Sequence, residues 1–182
     1  MHQKQITKAK FKALKACVII PTYNNDKTLE AVITKTLEYC ETVMVVNDGS
    51  TDDTAGIISK FKQLFVITHP KNKGKGKALR NGFKKAVEMG FDYVITIDSD
   101  GQHYPEDFIT FLDKVEEQPG SLIIGARNMT VDNVPGKSTF GNKFSNFWFW
   151  VETGIRLPDT QSGFRLYPVQ RIKKAWHFTT KF

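Results

Sequence analysis

The chain has 182 residues, 40% of them apolar and 25% charged, which suits one globular domain with a sizeable core and leaves little room for a second. A formal net charge of +7 favours anionic partners, namely nucleotides, phosphorylated substrates or an acidic membrane surface, without choosing among them. No segment reaches the roughly 18 consecutive apolar residues that a membrane-spanning helix needs.

Met1 to Ala16 holds Lys4, Lys8, Lys10, Lys12 and Lys15 with no apolar stretch behind them. It reads as a basic N-terminal arm (residues 1–15) rather than a secretory signal. Cys17 to Pro21 (CVIIP) reads as a buried strand and Lys27 to Tyr39 as a helix. Val43 to Asn47 (VMVVN) is a second strand, and Thr51 to Lys62 a second helix, capped by Ser50 or Thr51 with Asp52 and Asp53 in its first turn. Leu64 to Thr68 is a third strand, Lys75 to Met89 a helix ended by Gly90, and Tyr93 to Asp98 (YVITID) a fourth strand. Pro105 to Glu117 is a helix opened by a first-turn proline, and Leu122 to Ala126 a fifth strand. The two cysteines, Cys17 and Cys40, lack metal-ligand spacing and read as reduced core thiols of a cytoplasmic protein.

Apolar strands alternating with helices imply an α/β fold: a mostly parallel sheet, buried on both faces, with helices on both faces. Ligands bind such sheets at the carboxyl ends of the strands. The strand-end residues are therefore Pro21 to Asn25, Asn47 to Ser50, His69 to Gly76, Asp98 to His103, and Arg127 with Asn128. Gly74, Gly76 and Gly82 fit neither the dinucleotide fingerprint nor the P-loop. Lys71, Lys73, Lys75, Lys77 and Arg80 form a cationic cluster running into a helix start, which suits a diphosphate and equally a solvated basic face.

Asp98-Ser99-Asp100 is the sharpest feature. Residues two apart in extended chain point to one side, so both carboxylates would face one point beyond the sheet. A hard divalent cation, Mg²⁺ or Mn²⁺, relieves their repulsion and takes further oxygens from a bound diphosphate. Gln102 and His103 are further candidate ligands. Asp48-Gly49-Ser50 offers Asp48 as an acceptor for a base or ribose, although the same residues are good turn chemistry.

Taken in order, PTYNN (21–25), NDGSTDDT (47–54), NKGKG (72–76), DSDGQH (98–103), GARN (125–128) and DTQSGFR (159–165) resemble the family 2 inverting glycosyltransferases of the GT-A nucleotide-diphospho-sugar transferase fold. Within these, the chain is most similar to the dolichyl- and polyprenyl-phosphate mannosyl- and glucosyltransferases. The resemblance covers residues 16 to 168. It implies that Pro21, Tyr23, Asn25, Asp48, Lys75 and Ser99 bind the donor, a UDP- or GDP-sugar. Asp98, Asp100 and Gln102 would hold the metal, and Arg165, with Arg127 and Lys137, would meet donor and acceptor phosphates. Asn25 and Asn47 stand where the family often carries acids, and Lys137 where an arginine is expected. Members usually continue past S-G-F-R with another strand and helix, and often with transmembrane helices. The catalytic domain, 16–182, is accordingly expected to be truncated at its C-terminus.

A polyprenyl-phosphate acceptor is already ionised and needs no strong base. A saccharide hydroxyl, the alternative acceptor in cell-surface polysaccharide synthesis, would need one, and Asp159 is the nearest candidate. Phe140, Phe144, Phe147, Trp148 and Val151 form one helical stripe flanked by Lys137 and Lys143. It would lie in a membrane interface, placing the protein peripherally on the cytoplasmic face, or pack on the core. A sugar nucleotidyltransferase is disfavoured because PTYNN replaces the glycine-rich loop after the first strand. A nucleic-acid-binding module is disfavoured because basic and aromatic residues fall in separate segments, so no nucleic acid is expected as a partner.

Overall fold

A computed structural model of the chain describes residues 2–125 and 162–176. The first element is the helix α1 (His2–Ala13), where the sequence suggested only a basic arm. Phe11 explains its docking: the ring is buried and meets Phe108 edge-on at 5.5 Å, which contributes about 1.5–3 kcal/mol. Lys4 pairs with Glu38 at 2.5 Å, and Lys10 with Asp113 at 2.9 Å and with Glu116. These pairs are partly exposed and add little.

The sheet is built from β1 (Ala16–Thr22), β2 (Val43–Asn47), β3 (Phe65–Thr68), β4 (Tyr93–Thr96), β5 (Ile123–Ile124) and β6 (Arg165–Pro168), in the order β3-β2-β1-β4-β6-β5. The β1–β2, β1–β4 and β2–β3 pairs are parallel. β1 is buried throughout because its alternate side chains enter two cores. Val18 and Ile20 pack with α2 (Leu29–Tyr39), α3 (Thr54–Ser59), α5 (Phe108–Glu117) and Phe11 of α1. Cys17 and Ile19 pack with α4 (Lys75–Glu88) and α6 (Val169–Trp176). The fold is thus α/β with helices on both faces, and both cysteines are buried free thiols, as expected. Burial pushes the Cys40 thiol up to about 12.

Four expectations are corrected. β3 is an edge strand with Phe65 and Val66 exposed, so burial on both faces does not extend to it. The strand before Asp98 ends at Thr96. α3 begins at Thr54; Asn47 Oδ1 (2.9 Å) and Asn24 Oδ1 (2.8 Å) tie the Ser50 and Thr51 amides into the loop that precedes it. From S-G-F-R onward the residue pattern announces no element, yet β6, which starts at Arg165 itself, inserts antiparallel between β4 and β5, pairing Thr96 with Arg165 and Ile123 with Leu166, and α6 follows.

Candidate active site

Parallel pairing brings the ends of β1, β2, β3 and β4 to one edge. There an open cleft of about 340 Å³ is lined by Pro21, Thr22, Tyr23, Asp48, Asn72, Lys75, Ala78, Asp98, Ser99 and Asp100. Seven of the residues singled out from sequence therefore share one cavity: Pro21, Tyr23, Asp48, Lys75, Asp98, Ser99 and Asp100.

One wall is built by hydrogen bonds among the loops themselves. Asn24 adopts φ +47°, a left-handed conformation that asparagine tolerates. From there its amide donates to Ser50 Oγ at 3.0 Å while its side chain accepts from Thr51. Asn25 Nδ2 donates to Ser99 O at 2.7 Å and to Ser99 Oγ at 2.9 Å. Thr28 Oγ1 donates to Ser99 O at 2.6 Å. Asn25 thus does not line the cleft but fixes Ser99, which does.

Asp48 is not the turn-former at the end of β2. Asn47 Oδ1 performs that task by accepting the Ser50 amide. The Asp48 carboxylate instead reaches across to the next loop, where it accepts from the Lys73 amide at 3.0 Å and lies 2.5 Å from His69 Nδ1. Burial pushes its carboxyl up, but the hydrogen bonds from His69 and from the Lys73 and Gly74 amides outweigh burial and hold it below the usual range. Gly49, at φ +74°, sits where a Cβ would strike the Lys71–Asn72 backbone, so glycine lets the two loops close on each other.

The opposite wall carries the acids. Lys75, at the start of α4, extends its ammonium to Asp98 Oδ1 at 2.6 Å, whereas Lys71, Lys73 and Lys77 of the predicted cationic cluster are exposed to solvent. Gly163 packs so tightly on Asp98 that a Cβ there would collide with the carboxylate, and its carbonyl accepts from Thr96 Oγ1 at 2.7 Å. Asp100 Oδ1 accepts the Gln102 amide at 3.0 Å across a turn at Gly101. The Gln102 side chain is exposed and does not line the cleft. His103 packs its ring on Phe164 at 5.1 Å. Arg165 opens β6 beside Thr96, and its Nε donates to Ser162 O at 2.7 Å. Arg127, Lys137, Asp159 and the aromatic stripe of 140–151 lie outside the described residues.

Among the described residues no group of three or more His, Cys, Asp or Glu converges. Asp98 and Asp100 supply hard carboxylate oxygens on one cleft, and a cation already sits on one of them. That donor set fits a divalent ion that draws its other ligands from a bound diphosphate and water. Thr28, His69, Asn81 and Gly163 acquire their roles only in the folded chain. His69 among the strand-end residues and Gly163 within DTQSGFR were the available signals.

A mostly parallel sheet whose strand ends gather a DxD pair beside an open cleft is the architecture of the GT-A fold. Solved structures share that fold: glucosyl-3-phosphoglycerate synthase from Mycobacterium tuberculosis, in complex with Mn²⁺, UDP-glucose and phosphoglyceric acid, superposes with a TM-score of 0.67 at 21% identity over 92% of this chain and 61% of that one. TarS 1–349 of S. aureus superposes at 0.61 and 22% identity, over 88% of this chain and 48% of its own. Residues 17–174 match the model of glycosyl transferase family 2, and the chain belongs to that family. Similar curated proteins include the UDP-N-acetylglucosamine–dolichyl-phosphate N-acetylglucosaminyltransferase of Methanococcus voltae, 28% identical over 86% of this chain and 70% of its own length. The polyprenol monophosphomannose synthase of Mycolicibacterium smegmatis is 29% identical over 86% and 63%. A dolichyl-phosphate beta-glucosyltransferase of Trichomonas vaginalis is 27% identical over 82% and 52%. The chain thus spans between about half and seven tenths of the length of these relatives.

Proposed function

We propose that this chain transfers a sugar, with inversion, from a UDP- or GDP-sugar to a polyprenyl-phosphate lipid. The observation that carries the reading is the convergence of Asp48, Tyr23 and Pro21 with Asp98, Ser99 and Asp100 on one cleft. Relatives named for transfer to dolichyl phosphate and for polyprenol monophosphomannose synthesis support the lipid acceptor.

In this reading Pro21 and Tyr23 flank the base and Asp48 accepts its hydrogen bonds. Ser99, immobilised by Asn25 and Thr28, borders the donor between the two acids. Asp98 and Asp100 hold Mg²⁺ or Mn²⁺, which when bound supplies charge neutralisation for the departing diphosphate. Lys75 leaves Asp98 and meets the diphosphate, adding a positive charge where negative charge develops. Arg165, which opens β6 beside Thr96, would meet the donor phosphates, and Arg127 and Lys137 the acceptor phosphate. An ionised phosphate attacks without help from a base. The acceptor's lipid places the protein peripherally at the cytoplasmic face of a membrane. Among the described residues no helix is long and apolar enough to cross one.

The test is a panel of UDP- and GDP-sugars incubated with Mn²⁺ or Mg²⁺, with polyprenyl phosphate, with saccharide acceptors, or with neither. Transfer confined to the polyprenyl-phosphate arm is the expected result. Transfer to saccharide alone would overturn the lipid acceptor and require a base such as Asp159.

A further inference from the structure

The end of β3 carries a buried histidine that the proposed transfer leaves without a task. His69 is 4% exposed, and both of its ring nitrogens are engaged. Nδ1 lies 2.5 Å from Asp48 Oδ1, and Nε2 lies 2.7 Å from Nδ2 of Asn81 on α4. An amide nitrogen only donates, so Nε2 is the acceptor, and a neutral imidazole that accepts at Nε2 carries its proton on Nδ1. The hydrogen bonds therefore run in one direction, from Asn81 through His69 to Asp48.

That direction matters at the cleft. Asp48 Oδ1 receives the ring N–H and the Lys73 amide together. The carboxylate cannot rotate without breaking both. What it offers to the cleft is an acceptor held in one orientation, with no donor character. A base that presents a ring N–H beside a carbonyl, as uracil and guanine do, complements such an acceptor. Cytosine, whose ring nitrogen at that position is itself an acceptor, opposes it lone pair to lone pair, and a mismatch of this kind leaves polar groups unpaired.

We propose that His69, its tautomer set by Asn81, is a positioning residue for base selection: it holds Asp48 as an oriented acceptor that favours uracil- and guanine-type nucleotides over cytosine-type ones. The inference rests on Asp48 facing the donor's nucleoside. A merely structural His69, tying β3 to α4, would affect stability and leave the preference among nucleotides untouched.

The experiment titrates the full chain with UDP, GDP and CDP in the presence of Mn²⁺. The wild type is expected to bind UDP or GDP at least about tenfold more tightly than CDP. His69→Leu narrows that gap to about twofold by weakening UDP or GDP while CDP stays unchanged. His69→Asn, which restores a donor at the Nδ1 position, recovers most of it. Asp48→Ala separates the two ideas. If that variant keeps the full gap, Asp48 does not face the base and the underlying reading fails. If Asp48→Ala closes the gap and His69→Leu keeps it, only the positioning role is overturned. Should His69→Leu fail to fold, ring ¹⁵N NMR of the wild type decides: an Nδ1–H ring supports the proposal, and an Nε2–H ring overturns it.

Discussion

The two walls of the cleft are held together in opposite ways. On the β1–β2 side, Asn24, Asn25, Thr28, Ser50 and Asp48 are tied to one another and to Ser99, Thr51 and Lys73 by hydrogen bonds between protein groups. That wall is complete before any ligand arrives. On the β4 side, among the described residues, Asp98 leans on the flexible side chain of Lys75 and Asp100 accepts the Gln102 amide. The contrast teaches where recognition is pre-organised and where it is finished by the ligand. In the proposed function, a base would meet a surface already shaped for it, whereas the diphosphate and its cation would complete a half-neutralised pair of acids.

The comparison breaks most sharply at Asp100. Asp100→Asn removes one charge from the incomplete wall and should weaken Mn²⁺-dependent UDP or GDP binding on the order of 100-fold, with the circular dichroism spectrum unchanged. Calorimetry showing the wild-type affinity, independent of metal, would remove Asp100 from the site.

Gly163→Ala should come next. The added Cβ must push Asp98 out of place, so we expect a loss of about 1–3 kcal/mol in stability together with weakened metal-dependent binding. A thermal melt and a Mn²⁺ titration on the same sample measure both, and an unperturbed titration would mean that Asp98 relaxes freely.

Asn25→Ala tests the finished wall. It deletes two hydrogen bonds to Ser99 and should cost about 1–2 kcal/mol in urea unfolding. Thr28 still holds Ser99 O, so nucleotide affinity should fall by less than about fivefold. A larger loss in binding than in stability would show that Asn25 itself touches the donor.

The smallest effect concerns acid. The Asp48 carboxyl titrates below its usual value in the folded state. Its contribution is therefore fully present above the unfolded value near about 4 and is lost as pH falls through the lower folded value. Asp48→Asn should flatten the wild-type decline in stability as pH falls below the unfolded carboxyl value near about 4, measured by denaturant midpoints at successively lower pH. An equally steep decline in the variant would assign the acid sensitivity to other carboxylates, of which Asp52 is one whose carboxyl is also lowered.

The sequence disclosed these walls unequally. The apolar runs of β1, β2 and β4 announce a buried sheet, and the strand-end rule then points to Pro21, Asp48 and Asp98 without further information. What stayed hidden depends on long-range pairing. Arg165–Pro168 is too short and mixed to announce a strand, and only its place between β4 and β5 makes it one. Gly163 looks like any turn glycine until β6 carries it against Asp98. Asn24, far away in sequence, ties Thr51 into the loop ahead of α3, and nothing local announces that tie. Asn81 lies mid-helix and acquires meaning only through His69.

The insertion of β6 also imposes an order on how the molecule is made. β5 pairs with β6, and the chain must travel from Ile124 to Arg165 before that pairing exists. Closing so distant a contact is slow compared with the local β1–α2–β2 steps. The wall formed by residues 21–99 lies wholly before β6 in the chain, so its contacts need no residue of β6. The acid half waits for residue 168, when Gly163 comes to rest on Asp98.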